Sequence, residues 1–488
     1  MRIRRILVAN RGEIALRILR TCERLGIETV LAASDADLDS PAARAADRVV
    51  RLGPAPPEWS YLSVDAVVRA ALASGASAVH PGYGFLAENP ALADACADTG
   101  LLFVGPAAAH LRALGDKLEA RAAAVASGLP VLPGGEVGNP AEAEAMLERT
   151  GLPVLVKAVG GGGGRGMRLV SHAHELAGAL ELSMAEAGGA FGNSRVYLER
   201  YVARGRHIEV QLLADGERVL HVGERDCSVQ RRYQKLLEEA PAPELPERLR
   251  SAMHRAARRL GRYLGYRSLG TVEFLVDVDT ETFSFLEVNP RIQVEHPVTE
   301  ATTGLDLVAE QLYVAEGRPL TLRQEDVVLS GHAVECRINA EDPDRGFAPG
   351  PGTVTDIRLP AGEGIRVDAA VQNGSAVPPY YDSLVAKLVV WGPDRATALG
   401  RLAGALDRFT VEGIPTTIPL HRRLVAHPEL RQGAVDTGWL GRVLAAGGAG
   451  GAGGAGGTGG AGGAGGADGG ASPGSLGASM AAGATAHG

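Results

Sequence analysis

Leu155-Val-Lys-Ala-Val-Gly-Gly-Gly-Gly-Gly-Arg-Gly-Met-Arg-Leu-Val170 is the stretch that decides how this chain folds. Five successive glycines let backbone N–H groups approach phosphate oxygens with no Cβ in the way, and Lys157, at the end of the preceding apolar run, supplies a counter-charge. A P-loop or a dinucleotide-binding turn would open into a helix at this point, whereas Met167–Val170 reads as a second strand. The glycines therefore belong to a hairpin tip, where a mobile lid would sit. A plain linker looks different in this chain: beyond Ala445 nearly every residue is Gly or Ala, with no Lys or Arg and no flanking strands.

On the N-terminal side, Ile6–Ala9, a helical pattern over Glu13–Leu25 and Thr29–Ala33 form a βαβ sequence. Similar apolar runs at Ala78–His80 and Leu101–Val104 extend it to a parallel sheet with crossover helices, in which ligands favour the carboxyl ends of strands. The turns Ala9–Glu13 and His80–Gly84 lie at such ends, and neither has the Gly-x-Gly-x-x-Gly pattern of a dinucleotide fold. From about Gly115 the texture changes to strands separated by tight turns, at Val154–Ala158, Met167–Val170, Arg195–Val202, His207–Ala214, Arg218–Glu224, Thr271–Val276 and Thr282–Asn289, which implies antiparallel sheet. A third segment mixes strands at His332–Asn339 and Ser383–Trp391 with a helix over Arg395–Phe409. The Gly/Ala tail has almost no side chain to bury against the entropy of ordering it and is expected to be disordered.

Two further stretches carry chemistry. In Phe283-Ser-Phe-Leu-Glu-Val-Asn-Pro-Arg-Ile-Gln-Val-Glu-His-Pro-Val298, an extended backbone would set Val288, Ile292 and Val294 on one face and Glu287, Asn289, Arg291, Gln293 and Glu295 on the other. Two carboxylates and an amide suit a hard, oxygen-ligated Mg²⁺, and Glu273 in the adjacent strand candidate can add a carboxylate across the ladder. The second is Glu224-Arg-Asp-Cys-Ser-Val-Gln-Arg-Arg-Tyr-Gln-Lys235, which packs four cations into a short, turn-rich stretch able to attract an anion, although a charged surface loop also accounts for such a run.

Of 49 basic residues only Lys117, Lys157, Lys235 and Lys387 are lysine. Arg serves almost wherever a plain positive charge suffices, so each Lys is suspected of holding a phosphate or small anion, where a compact ammonium differs from a planar guanidinium. A net charge of −8 argues against a nucleic-acid or anionic-membrane partner. The four cysteines are scattered without metal-ligand spacing and are expected to be reduced and mostly buried. No window approaches eighteen uninterrupted apolar residues, and the first strand candidate starts almost at the initiator Met, so the cytoplasm is the expected compartment.

Taken in order, ILVANRGEIALRIL, HPGYGFLAEN, GDK, GGGGRGM, RHIEVQ, ERDCSVQRRYQK, EEAPAP, GTVEFL, NPRIQVEHPVTE, HAVECRINAED and PPYYDSLVAKL closely resemble the biotin carboxylases, the ATP-grasp component of acyl-CoA carboxylases and pyruvate carboxylase, over residues 1 to about 440. The resemblance implies an α/β and α+β multidomain chain: a parallel-sheet, Rossmann-like N-terminal domain at 1–114, a central ATP-grasp domain at 115–330 with a lid at about 129–202, a mixed antiparallel C-terminal domain at 331–445, and a tail at 446–488. It also implies roles. Lys117 and Lys157 would hold the ATP phosphates, Gly163 and Gly164 would close over them, and Glu199, Arg200, Tyr201 and Val202 would meet the adenine, with His207 and Gln230 nearby. Glu273, Glu287 and Asn289 would bind Mg²⁺ or Mn²⁺. Lys235, Arg291, Gln293 and Val294 would form the bicarbonate site, Glu295 would be the base, and Arg337 would bind biotin.

Tyr233 occupies a nucleotide-binding position where the family commonly has His; a phenol can still donate a hydrogen bond there but brings no cation. With no Lys after Lys387, biotin is expected on a separate carrier protein, with carboxyltransferase subunits completing an acyl-CoA carboxylase, acetyl-CoA carboxylase of fatty acid synthesis in the first place. A homodimer is also expected. Two alternatives stay open: another ATP-grasp ligase that joins a carboxylate to an amine, and a nucleotide-binding scaffold without catalysis, which would require a lost catalytic residue.

Overall fold

The computed structural model describes residues 2–159, 167–433 and 435–449. Gly163 and Gly164, and the tail from residue 450 onward, lie outside these residues.

Strands β1 (Arg5–Val8), β2 (Glu28–Ser34), β3 (Arg48–Gly53), β4 (Ala78–His80) and β5 (Leu102–Phe103) form a five-stranded sheet in the order β3-β2-β1-β4-β5. All its pairings are parallel. Helix α1 (Gly12–Arg24) covers one face through Ile14, Ile18 and Leu19, as its 3.6-residue apolar period requires. Strand order reverses between β1 and β4, so the turns that follow them flank the crevice of an open α/β sheet. Those turns are tied together, since Asn10 Nδ2 donates to the carbonyls of Pro81 and Tyr83, each at 2.7 Å. Gly82 has φ +65°, and a Cβ there would stand 2.8 Å from Asn10 Nδ2, so the turn admits only glycine.

Helix α2 (Lys117–Ala126) leads into a separate four-stranded sheet, β6 (Gly134–Val137), β7 (Val154–Ala158), β8 (Arg168–Val170) and β9 (Val196–Arg200), in the order β6-β9-β7-β8. Helices α3 (Pro140–Thr150) and α4 (Leu176–Phe191) back it. β7 and β8 pair antiparallel, as expected of a hairpin around the glycine run. Val137, Met146, Val156, Leu180 and Leu198 close a core within this unit alone.

The largest sheet has eight strands: β10 (Gly205–Asp215), β11 (Val219–Arg231), β12 (Gln234–Ala240), β13 (Arg267–Asp277), β14 (Thr282–Asn289), β15 (His332–Asn339), β16 (Ile365–Ala369) and β17 (Leu384–Gly392). Its order is β14-β13-β10-β11-β12-β15-β17-β16, and every pairing is antiparallel. β12 pairs with β15, so the central and C-terminal segments share one continuous ladder. Helix α5 (Glu247–Tyr263) packs Leu249, Met253 and Leu260 against Ile208, Val210 and Leu212. The other face of β10 is left to His207, Glu209 and Gln211, all buried. Helix α6 (His296–Thr303) lies across β11, β12, β15 and β17.

Two sequence expectations are corrected here. Residues 224–231 are not a turn-rich surface stretch but the second half of β11, buried from Glu224 to Gln230, and only Arg232 and Tyr233 form a turn before β12. Likewise the extended row through Glu295 ends at Asn289; Pro290 cannot donate to the ladder, the chain turns, and α6 begins at His296. At the other end, helix α7 (Arg395–Arg408) matches its expected span to within a residue, and helix α8 (Trp439–Ala449) runs four residues past Ala445. All four cysteines are free and buried, and no helix among the described residues is long and apolar enough to cross a membrane.

Candidate active site

The polar face of the large sheet gathers its charges around Lys235. Its Nζ donates to Glu209 Oε2 at 2.6 Å, Glu273 Oε1 at 2.9 Å and Glu295 Oε1 at 2.6 Å. The β-ladders explain the convergence: Glu209 and Glu273 are direct cross-strand partners on β10 and β13, and Lys235 lies on β12, reached over β11. Burial disfavours the Lys235 ammonium, but the three carboxylates outweigh it and hold its pKa well above the ordinary lysine range.

Glu295 has no exposed side-chain surface. Its second oxygen, Oε2, accepts from Arg337 Nη2 at 2.9 Å. Burial pushes this carboxyl up, yet Lys235, Arg337 and Arg225 together hold it well below the usual carboxylate range, so it is ionised at neutral pH. Arg337 also donates from Nε to Glu238 Oε1 at 2.6 Å. Arg225, fully buried, pairs with Glu209 and donates to Gln211 Oε1 at 2.8 Å and Thr299 Oγ1 at 2.9 Å.

On the side toward the small sheet, Glu273 and Glu287 face each other across β13 and β14. Asn289 Nδ2 donates to Glu273 Oε1 at 2.9 Å, and His207 Nε2 lies 2.8 Å from Glu273 Oε2. Glu287 is held above its ordinary value, first by the protein around it and then by the neighbouring Glu273 charge. Two neighbouring carboxylates with the Asn289 amide beside them fit a hard divalent cation, which would relieve the repulsion between the carboxylates. His207, Glu209 and Glu273 also bring ligand-type atoms within 4.8 Å of one another, but Lys235 already bridges Glu209 and Glu273.

Lys117 begins α2 within electrostatic reach of Glu287, Lys157 and Glu199; burial lowers its pKa first, Glu287 opposes that, and Lys157 adds to it. Lys157 and Glu199 form an ion pair on neighbouring strands β7 and β9. A continuous line of charge thus runs from Lys157 and Lys117 through Glu287, Glu273 and Lys235 to Glu295. Arg291 joins it by donating from Nη2 to Asn289 Oδ1 at 3.1 Å, and is pinned by Glu88 Oε1 at 2.7 Å from Nε. Gln293 Nε2 reaches Glu273 Oε1 at 3.3 Å despite the turned backbone.

The expected adenine segment Glu199–Val202 leaves β9, with Tyr201 N donating to Pro153 O at 2.9 Å. The Arg200 side chain is exposed, and Val202 is half-buried. Gln230 is buried opposite Lys235 in the β11–β12 hairpin, and Tyr233 stands half-exposed at its tip, where burial and then Tyr201 raise its phenol pKa.

Glu209, Arg225, Glu238 and Glu88 were not singled out from the sequence. The alternation His207-Ile-Glu-Val-Gln211 held a signal for Glu209, since it puts three polar groups on one side of an otherwise apolar strand. Glu238 and Glu88 become visible only through their partners Arg337 and Arg291.

Comparison with known proteins matches these features to one family. The family described as biotin carboxylase, N-terminal domain, matches residues 2–111; carbamoyl-phosphate synthase L chain, ATP binding domain, matches 116–323; and biotin carboxylase C-terminal domain matches 335–442. The chain is 48% identical over 443 residues to the biotin carboxylase of Nostoc sp., covering 90% of this chain and 99% of that protein. A crystal structure of the Campylobacter jejuni biotin carboxylase in a βγ-ATP complex is similar at TM-score 0.87 and 42% identity, covering 90% of this chain and 99% of that one. The biotin carboxylase domain dimer of Hydrogenobacter thermophilus 2-oxoglutarate carboxylase, with MgADP, ADP and bicarbonate, is similar at TM-score 0.87 and 41% identity, covering 91% and 98%. With all three parts matched in order and nearly the whole length of these relatives covered, the chain belongs to the biotin carboxylase family of ATP-grasp ligases.

Proposed function

We propose that the chain binds MgATP between the small and large sheets and uses it to carboxylate biotin carried on a separate biotin carboxyl carrier protein. The observation that carries this reading is Glu295: a buried, ionised carboxylate with one oxygen on Lys235 and the other on Arg337.

Lys117 and Lys157 hold the triphosphate, Glu199–Val202 meet the adenine with His207 beside the nucleotide, and Glu273, Glu287 and Asn289 hold Mg²⁺ or Mn²⁺. The cation would neutralise charge on the triphosphate during phosphoryl transfer. Lys235, Arg291, Gln293 and the Val294 backbone orient bicarbonate, a weak nucleophile that needs both a fixed direction and a base. Glu295 takes its proton; the bicarbonate oxygen attacks the γ-phosphorus and ADP leaves, giving carboxyphosphate. Carboxyphosphate breaks its C–O bond to CO₂ and phosphate, the phosphate takes the ureido proton of biotin, and the freed nitrogen forms the N–C bond to CO₂. Arg337 steadies the enolate-like biotin anion, and closure of the small sheet keeps water from the intermediate.

The division at 1–114, 115–330 and 331–445, a homodimer, carboxyltransferase partners and a cytoplasmic location go with this reading. The final acceptor we take to be an acyl-CoA, acetyl-CoA for fatty acid synthesis first; a keto acid is the second reading, favoured by the likeness to a 2-oxoglutarate carboxylase domain.

The test is ADP release with and without bicarbonate in the presence of free biotin. ATP cleavage should depend on bicarbonate, and Glu295→Gln should lower it by about 10²- to 10⁴-fold while nucleotide affinity holds. Near-normal turnover in that variant removes Glu295 from the role. Stimulation by an amino acid instead of bicarbonate would point to a carboxylate–amine ligase, and no cleavage at all to a nucleotide-binding scaffold.

A further inference from the structure

Three of the four lysines lie along the charge line described above; the fourth, Lys387, lies behind it. Its side chain is fully buried on β17, with Nζ 2.9 Å from Glu13 Oε2 and donating to the Val294 carbonyl at 2.8 Å. Glu13 belongs to α1, and its other oxygen accepts from the Tyr83 hydroxyl in the turn after β4. Val294 is the residue before Glu295. One ammonium therefore joins the crevice of the first sheet, the C-terminal end of the large sheet and the peptide beside the buried carboxylate. Lys387 is also the direct cross-strand partner of Arg337, which holds the far oxygen of Glu295.

A buried ion pair is weak evidence for stability, because replacing one by well-packed neutral groups of similar volume is often neutral or stabilising. An Arg here would bring a planar five-donor fork to one carboxylate oxygen and one carbonyl, which accounts for a lysine in a chain that otherwise favours arginine. Glu335 on β15, Asp368 on β16 and His296 on α6 face the same ammonium, so Glu13 is one of several charges around it, but the contact to Val294 is made by Lys387 itself.

We propose that Lys387, braced by Glu13, is a positioning residue that fixes the Val294 carbonyl and thereby aims the Glu295 carboxylate at bicarbonate. This rests on Glu295 being the base.

The experiment uses the full chain and compares Glu13→Gln/Lys387→Met with Glu13→Gln/Lys387→Gln. Both remove Lys387 together with Glu13, so neither leaves the Glu13 carboxylate buried without its partner, both change the surroundings of Glu335 alike, and only the second keeps an N–H donor for the Val294 carbonyl. Thermal melts show that each folds, and ATP cleavage is measured with bicarbonate and ATP varied separately. The Met variant should lose about tenfold or more in kcat/KM for bicarbonate while the KM for ATP stays within about twofold, and the Gln variant should recover most of that loss. A purely structural role would change neither substrate selectively. Equal bicarbonate kinetics in the two variants, whether both normal or both impaired, overturns the proposal, as does failure of both to fold, which would make the pair a structural requirement. If the unaltered chain itself shows no bicarbonate-dependent cleavage, it is the reading of Glu295 that fails.

Discussion

Glu238 shows how one buried position can set a pH response. It has no exposed side-chain surface, and burial raises its pKa to about 7, with Arg337 opposing the rise and Glu295 adding to it. A carboxyl raised in the folded state contributes stability that is fully present below its unfolded value and is lost as pH rises through the folded one. Relative to Glu238→Gln, which cannot titrate, the unaltered chain should therefore lose about 3 kcal/mol between pH 4.5 and pH 7. Urea melts of both proteins across that range check it; a gap that stays constant with pH would mean Glu238 does not change charge there. At this scale the sequence was informative about unusual residues and silent about ordinary ones. Four lysines among 49 basic residues stood out, and all four lie in or behind the site. Glu238 stood in a run of two glutamates, and nothing local says that one faces Arg337 and the other His332. That distinction is made by the β12–β15 register.

Among the elements, the β11–β12 hairpin closes with Arg232 and Tyr233 at φ +47° and +68°, both in the left-handed region that a tight hairpin demands and that Gly or Asn fills with less strain. A large residue held there costs of order 1 kcal/mol or more. The hairpin positions Gln230 and Lys235, and its tip brings Tyr233 within reach of Tyr201 in the expected adenine segment. Tyr233→Gly should raise stability by about 0.5–1 kcal/mol, read as a higher urea midpoint. If Tyr233 contacts nucleotide, the same variant should also raise the KM for ATP; an unchanged KM would assign the residue to the turn alone. Sequence patterning located seven of the nine strands β6–β14 but missed β6, β12 and the second half of β11, the last two because the run of charges around this turn resembles a solvated loop. The opposite error occurred at 290–295, where polar–apolar alternation continued past the end of the strand. Pro290 and the His296-Pro297 start of α6 were the local marks of that end.

Over the whole molecule, what matters is that the small sheet and the large sheet are joined by little more than an entering and a leaving strand connection. Their apolar cores are separate, whereas β12 and β15 bind the central and C-terminal segments into one ladder reinforced by Glu239, His332 and Arg395. Units that share few buried contacts open independently, and strands inside a continuous sheet open only with the whole. Amides of β7 and β9 should therefore exchange faster with deuterium than those of β10, β13 and β15 in the nucleotide-free protein. The Lys157–Glu199 pair and Lys117 lie within electrostatic reach of one another, and on the proposed reading these two lysines hold the triphosphate. Adding MgATP should slow exchange selectively in β7–β9, leaving β15 and β17 unchanged, because binding lowers the free energy of the closed arrangement by the ligand's differential affinity for it. Equal protection of both sheets without nucleotide, or slowing spread evenly through the chain, would show that the small sheet does not close as a unit.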